Sequence, residues 1–278
     1  MPEQILITSR QNPRIVAARR LAERKHRRQQ GRFLVEGVKL LELALRAGAR
    51  PRAVFVCFQE LAPDAEGLLT RLHAAGAELL PVSPAVMQAL AEREAAEGLV
   101  ATFDLFKAGL DDLSLAGDDL VVVLDRLQDP GNLGTLLRTA DAVDAAGVVL
   151  LEPCVDPFDP KVVRGSMGSI FHVPLVRTGD VAAMLAALHG RGLRIVAADA
   201  HRGVDWGDGL WQGGVALVLG NEARGLSADV LPHIDAWARL PIPGQAESLN
   251  VAVAGGVLMY AWLREVLNSS QRRRGGRG

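Results

Sequence analysis

The sequence predicts an α/β protein in which a small α/β domain precedes a larger one built on a mostly parallel sheet. Three observations predict it. Short apolar strands alternate with helical stretches from Phe33 to Phe106. A polar stretch at 107–118 interrupts that pattern and reads as a linker. The pattern then restarts at DLVVVLD with nearly continuous apolar runs, the signature of parallel strands buried on both faces. A chain of 278 residues, 49% hydrophobic, can bury a core in each of two domains.

In order, NPRIVAARRLAERKHRRQQGRF opens with a helix from Asn12-Pro13 that closes near Gly31, one face apolar and the other rich in arginine. The strand FLVEG follows, then the helix VKLLELALRAG, the strand AVFVCF, the helix DAEGLLTRLHAAG, the strand ELLPV, the helix PAVMQALAERE and the strand GLVATFD. Beyond the linker the strands are DLVVVLD, GVVLLE, FHVPLV, LRIVAAD, VALVLG and AWARLPI. Helices are expected over LGTLLRTADAVDAAG, DPKVVRGSMGS, DVAAMLAALHGRG, SADVLPHI and the closing SLNVAVAGGVLMYAWLREVLN. This places a basic extension at 1–32, a small domain at 33–106, a larger domain at 119–268 and a basic tail at 269–278 that is expected to be disordered.

Charge is divided unevenly. Residues 1–32 carry nine Lys/Arg against Glu3 and Glu23, a net of +7, and the tail adds +4. With an overall charge of −1, the body between them holds −12. Two basic ends on an acidic body suit a polyanion, with nucleic acid the natural candidate. Arg14, Arg19, Arg20, Arg24 and Arg28 are the expected nucleic-acid contacts of the extension. No stretch approaches the roughly 18 apolar residues of a spanning helix and the N-terminus has no apolar signal core, so no membrane role and a cytoplasmic location are expected. Cys57 and Cys154 sit in apolar surroundings without a partner at metal-ligand spacing, so no metal is expected.

Three strand-to-helix turns stand out. LDRLQDPGNLGTLLRTA leaves its strand through Asp129-Pro130-Gly131 and reaches Asn132 and, further on, Arg138, whose fork suits a phosphate. An N-cap Asn beside a surface Arg explains the same residues equally well. LVLGNEARGLS brings Gly220, Asn221 and Glu222 to a strand end, where Glu222 needs a partner such as Arg138 or ligand donors, or else caps a helix. LPIPGQAESLNVAVAGG sets Ser248 and Asn250 after a rigid turn and before a helix of small residues that admits close packing. The chain holds no GKS/T loop, HExxH, GxSxG or GxGxxG after a strand. Its histidines (26, 73, 172, 189, 201 and 233) share no motif with a nucleophile and read as surface or core residues.

In this order and spacing, the three segments resemble the signature motifs of the SpoU (TrmH-like) branch of the SPOUT RNA methyltransferases: DPxNxGxxxRTA, LGxExxG and LPxxGxxxSLNVxxA. Residues 33–106, with FLVEG, resemble that family's small N-terminal substrate-binding domain, and VRGSMGSIFHVPLV matches a further family segment. The resemblance implies methyl transfer from S-adenosylmethionine to a ribose 2′-hydroxyl of RNA, and a C-terminal domain with a deep trefoil knot (the α/β knot). It places Ala198, Asp199, Gly220, Asn221 and the segment from Leu240 and Pro241 through Leu249 around the cofactor. It makes Arg138, Asn132, Glu222, Ser248 and Asn250 the catalytic cluster, and it implies a homodimer built partly on the final helix.

Physical chemistry limits one of these roles. A guanidinium with a pKa above about 12 is a poor base, so Arg138 is expected to bind the RNA phosphate and stabilise oxyanion character. Aromatic residues are only 4% of the chain, which favours shape, phosphate and 2′-hydroxyl contacts over stacking. A separate substrate domain favours ribosomal over transfer RNA. The alternatives are a tRNA 2′-O-methyltransferase, a non-catalytic RNA-binding protein of the same fold, and a small-molecule nucleotide enzyme, which would lack a phosphate-loop lysine.

Overall fold

The computed structural model describes residues 5–62, 65–91, 97–115, 117–207 and 209–275, with side chains through 269. The chain forms two compact units, Met1–Phe106 with Asp156–Phe171, and Lys107–Val155 with His172–Gly278.

The first unit holds α1 (Pro13–Arg20), α2 (Arg24–Gln30), β1 (Arg32–Glu36), α3 (Val38–Arg46), β2 (Ala53–Val56), α4 (Glu66–Ala74), β3 (Glu78–Pro81), α5 (Pro84–Leu90) and β4 (Leu99–Asp104), together with the short α7 (Pro160–Gly165). Its sheet runs β1-β4-β2-β3, with β4 antiparallel to both neighbours and β2 parallel to β3. Period-2 alternation splits each strand between two cores. Phe33, Val35, Val54 and Phe103 pack on one face with Leu41, Leu72, Phe158 and Ile170. Leu34, Phe55 and Val100 pack on the other with Ile15, Leu21 and Met87.

The single helix expected over 13–31 is two helices. The Leu21 and Glu23 amides turn back to the Ala18 and Arg20 carbonyls. The carbonyls freed at the break, Leu21 O and Ala22 O, accept from Arg27 Nη1 at 2.8 and 2.7 Å. Arg27 is therefore not on an exposed basic face: it is buried and pairs with Asp156 at 2.8 Å.

The second unit holds β5 (Leu120–Asp125), α6 (Pro130–Ala142), β6 (Gly147–Leu151), β7 (Leu175–Thr178), α8 (Val181–Gly190), β8 (Arg194–Ala198), β9 (Val204–Asp205), β10 (Val215–Leu219), β11 (Ala236–Arg239) and α9 (Val251–Gly275). All seven strands are parallel in the order β7-β6-β5-β10-β8-β11-β9, so the parallel α/β expectation holds. Every residue of β5, β6 and β10 is buried, as their apolar runs require. A Cβ on Gly255 of α9 would come within 2.6 Å of Leu136 on α6 and of Leu219 on β10, so the small residues of this helix do serve close packing.

Three expected elements differ. SADVLPHI forms only a 3-10 turn at Leu231–His233, where Pro232 removes a donor. DPKVVRGSMGS stops helically at Gly165, followed by left-handed backbone at Met167 and Gly168. The strand in FHVPLV begins only at Leu175, after Pro174, and Phe171 sits in a 3-10 turn. The closing helix runs on to Gly275, so residues 269–275 of the tail expected to be disordered are helical, while the side chains of Arg272, Arg273, Arg274 and Arg277 lie outside those described. Among the described residues, no helix is long and apolar enough to cross a membrane, and no three His, Cys, Asp or Glu are placed to hold a metal ion.

Candidate active site

The site grows from the carboxyl ends of β5, β8, β10 and β11, where open parallel sheets bind ligands. β5 ends in the fully buried Asp125, which accepts from the Ser227 amide at 2.6 Å and its hydroxyl at 3.1 Å. Burying that carboxylate is tolerable only with such partners, and the bonds tie the loop after β10 to the end of β5. The following turn is capped by Asp129, not Asn132: Asp129 Oδ1 accepts from the Asn132 amide at 2.7 Å. The Asn132 side chain is left for other work.

β10 is followed by Gly220, where a Cβ would lie 2.6 Å from the Gly225 carbonyl carbon and 2.8 Å from the Leu226 nitrogen, so only glycine fits. The loop closes on itself through paired Asn221 and Gly225 backbone bonds of 2.9 Å. Asn221 Nδ2 donates to Arg126 O at 2.9 Å, while its Oδ1 accepts from the Ala223 and Arg224 amides at 3.0 Å. Glu222 accepts from the amides of Gln128 at 3.4 Å and Asp129 at 3.2 Å and from Asn132 Nδ2 at 3.0 Å. These donors, not Arg138, are its partners.

The segment from Leu240 to Asn250 has no regular secondary structure and ends by capping α9. Asn250 Oδ1 accepts from the Ala252 and Val253 amides at 2.9 and 3.2 Å, and its Nδ2 donates to Asn132 Oδ1 at 2.9 Å. The three unusual turns thus meet in one chain of bonds, Glu222 to Asn132 to Asn250. After β8, Asp199 Oδ1 accepts from the His201 and Arg202 amides at 2.8 and 2.9 Å, turning the chain sharply.

These ends enclose a cavity of about 520 Å³. Of the expected cofactor residues, Ala198, Asp199, Gly220, Asn221, Leu240 and Leu249 line it, and Pro241 does not. Of the expected catalytic residues, Glu222, Ser248 and Asn250 line it. Asn132 stands behind through its two bonds. Arg138 is exposed on α6, lines no part of the cavity, and makes no hydrogen bond or ion pair among the described residues. Ile242 and Glu247, within the expected segment from Leu240 through Leu249, also line it; the sequence reading missed Ala254 and Leu258, and His201, taken for a surface or core residue. Ala254 and Leu258 lie one turn apart on α9, a spacing that signals a shared face without telling a ligand from a core.

In the other unit, Arg19, Arg20 and Arg28 are exposed. Arg14 instead pairs with Glu78 at 2.5 Å, and Arg24 is partly buried.

Residues 119–260, which hold the entire cavity, match the SpoU rRNA Methylase family. The chain belongs to this family. Residues 12–101 match the MRM3-like substrate binding domain. Among SpoU relatives, the 23S rRNA (guanosine(2553)-2′-O)-methyltransferase RlmP of Bacillus subtilis is 32% identical over 255 residues, 91% of this chain and 97% of RlmP. The 23S rRNA (uridine(2479)-2′-O)-methyltransferase of Streptomyces viridochromogenes is 34% identical over 252 residues, 88% of this chain and 87% of that protein. The crystal structure of an AdoMet-bound rRNA methyltransferase from Sinorhizobium meliloti matches with a TM-score of 0.85 at 32% identity, covering 94% of this chain and 98% of that one.

Proposed function

We propose that this SpoU-family chain methylates a ribose 2′-hydroxyl of ribosomal RNA with S-adenosylmethionine. The bonded chain from Glu222 through Asn132 to Asn250, at the wall of the 520 Å³ cavity, carries this reading.

The cavity suits the cofactor. Its volume falls within the roughly 300–1,000 Å³ of ordinary ligand pockets. Leu219, Leu226, Leu240, Ile242 and Leu249 offer apolar walls for a base, and the strand-end backbone offers donors and acceptors. Glu247 and Glu222 place acidic groups beside a ligand carrying a sulfonium and an ammonium. When bound, S-adenosylmethionine supplies a methyl group made electrophilic by its sulfonium. The protein's contribution is to hold the ribose hydroxyl in line with that methyl, a positioning effect that can supply much of the rate. Ser248 and Asn250, fixed at the head of α9, are the polar groups nearest to that task.

Arg138 takes the RNA phosphate and stabilises developing negative charge on the hydroxyl oxygen, the proton leaving to water or a neighbouring group. Since Arg138 lies outside the cavity of its own chain, the reading includes a homodimer in which Arg138 of one protomer serves the cavity of the other. The exposed Val253, Tyr260 and Leu267, spaced seven residues apart along α9, support that interface. The arginines at 19, 20 and 28 dock RNA through phosphate contacts. The deep trefoil knot is part of the same reading and rests on the family resemblance.

The deciding experiment is transfer of labelled methyl from S-adenosylmethionine to ribosomal RNA from cells lacking the gene, with ribose methylation mapped in both strains. One alkali-resistant position is expected to appear in 23S rRNA. Labelling of transfer RNA alone would overturn the substrate assignment.

A further inference from the structure

We propose that a second pocket, lined by Arg126 and Arg224 and sharing a wall with the cofactor cavity, grips a phosphate of the RNA strand beside the acceptor ribose. The inference rests on the RNA-methylating reading above and adds two substrate-binding residues to it.

The pocket, about 550 Å³, lies in the second unit just beyond the end of β5. Asn221, Glu222, Ala223, Gly225 and Leu226 line both it and the cofactor cavity, so the self-closed 221–225 loop is a wall common to the two. Arg126 and Arg224 line the second pocket and not the first. A group seated here is one loop away from S-adenosylmethionine without belonging to its site.

Both arginines spring from fixed backbone. Arg126 has a φ of +56°, a left-handed conformation that residues other than glycine seldom adopt and that persists only where its surroundings enforce it. Here the Arg126 amide donates to Leu151 O at 3.2 Å, and its carbonyl accepts from Asn221 Nδ2 at 2.9 Å and Gln128 Nε2 at 3.0 Å. Gln128 Nε2 also donates to Pro153 O at 2.9 Å, which anchors this floor of the pocket. The Arg224 amide donates to Asn221 Oδ1 at 3.0 Å. Asn221 therefore holds the main chain of both arginines.

Their guanidinium groups keep donors to spare. The Arg126 side chain is 43% exposed; its Nη2 donates to Asp229 at 2.8 Å and its Nε faces Asp125 at 3.9 Å, while its Nη1 has no partner among the described residues. Arg224 is exposed, and its guanidinium makes no hydrogen bond or ion pair among the described residues. The carboxylates around them are already engaged: Asp125 with Ser227, Asp229 with Arg126, and Glu222 with the Gln128 and Asp129 amides and Asn132. Guanidinium edges without an acceptor, on rigid backbone, suit an oxyanion that the planar fork can clasp. The cofactor's own carboxylate belongs to a cavity that neither arginine lines. RNA, by contrast, presents a phosphate on each side of the acceptor ribose, and Arg126 and Arg224 offer it a grip from the chain that holds the cofactor.

Arg224→Gln and Arg126→Gln are compared with the wild-type chain for ribosomal RNA affinity across a salt series, cofactor affinity and thermal midpoint. Each is expected to weaken RNA binding about tenfold at low salt and to lower the slope of log affinity against log salt by about 0.7–0.9, one phosphate contact. Cofactor affinity should not change. An RNA fragment carrying the mapped position, with a neutral methylphosphonate in place of the linkage on one side of the acceptor or the other, then identifies the phosphate. At one of the two linkages the wild type should lose about tenfold in affinity and Arg224→Gln less than about twofold, since the contact is already gone. Losses that add at both linkages would overturn the proposal. So would RNA affinity and salt slope equal to wild type in Arg224→Gln, whose exposed, bond-free side chain keeps this result independent of folding. A fall in cofactor affinity in place of RNA affinity would give the pocket to the cofactor and overturn it as well. Absence of methyl transfer by the wild type, with the salt slope still lowered in Arg224→Gln, would instead refute the functional reading alone.

Discussion

Asn250 Nδ2 donates to Asn132 Oδ1 at 2.9 Å across 118 residues of chain, joining the head of α9 to the first turn of α6. Asn132 passes the connection to Glu222 at 3.0 Å. A single amide therefore orients a carboxylate on one side and a helix-capping side chain on the other. Asn132→Ala should lower the thermal stability by about 1–2 kcal/mol, from the groups left unpaired, and slow methyl transfer at least tenfold. Asn132→Asp should be worse, since it sets a second carboxylate against Glu222. Calorimetric unfolding and a labelled-methyl assay check both; wild-type turnover in either variant would remove the amide from the mechanism.

Gly220→Ala places a methyl 2.6 Å from the Gly225 carbonyl carbon and 2.8 Å from the Leu226 nitrogen, both backbone atoms that cannot step aside as a side chain could. The 221–225 loop must shift, and the cofactor cavity with it. Titration calorimetry is expected to show S-adenosylmethionine affinity reduced at least tenfold, while circular dichroism at 25 °C remains that of the folded protein.

Arg138 offers a test of the dimer. When Arg138→Ala and Asn250→Ala chains are mixed and allowed to exchange, half the dimers are mixed, and a site shared between protomers leaves one intact site in each. About a quarter of wild-type activity should return from two inactive proteins. No recovery, with exchange verified, would place Arg138 and Asn250 in service of the same chain's cavity.

The basic extension contains two kinds of arginine. Arg27→Ala leaves Asp156, only 7% exposed, without its 2.8 Å partner, and should cost about 3–5 kcal/mol of stability. Replacing Arg19, Arg20 and Arg28 together should leave stability nearly unchanged. It should reduce the slope of log affinity for RNA against log salt by about 2–3, at roughly 0.7–0.9 per lost phosphate contact. Filter binding across a salt series would show it.

Burial pushes the Cys154 thiol up to about 11 from its ordinary 9.0. The folded state thus holds a proton that the unfolded chain releases near pH 9, so the thiol's stabilising effect is complete below pH 9 and is lost as pH rises toward 11. Between pH 8 and 10.5, the wild type should lose on the order of 2 kcal/mol more stability than Cys154→Ala. Urea unfolding of both proteins at the two pH values isolates the thiol from the lysines and tyrosine that titrate in the same range.

The sequence by itself determined the layer architecture, because periodicity reports burial locally. DLVVVLD, GVVLLE and VALVLG are apolar throughout because both faces of β5, β6 and β10 are covered. It also delivered six of seven expected cofactor residues to one cavity, since strand ends and glycine turns are local features. What lay beyond local pattern was left to the tertiary structure. The basic segment reads as one amphipathic helix, yet Arg27 is turned inward by carbonyls of a helix break and by Asp156, 129 residues away. Residues 156–171 join the first unit although they lie between strands of the second. Glu222 could be assigned Arg138, ligand donors or a helix cap from sequence alone; only the fold, which brings Gln128, Asp129 and Asn132 within hydrogen-bonding reach, decided the matter. A side chain's partner is set by which distant turns the packed sheet brings within about 3 Å, and no period along the chain encodes that distance.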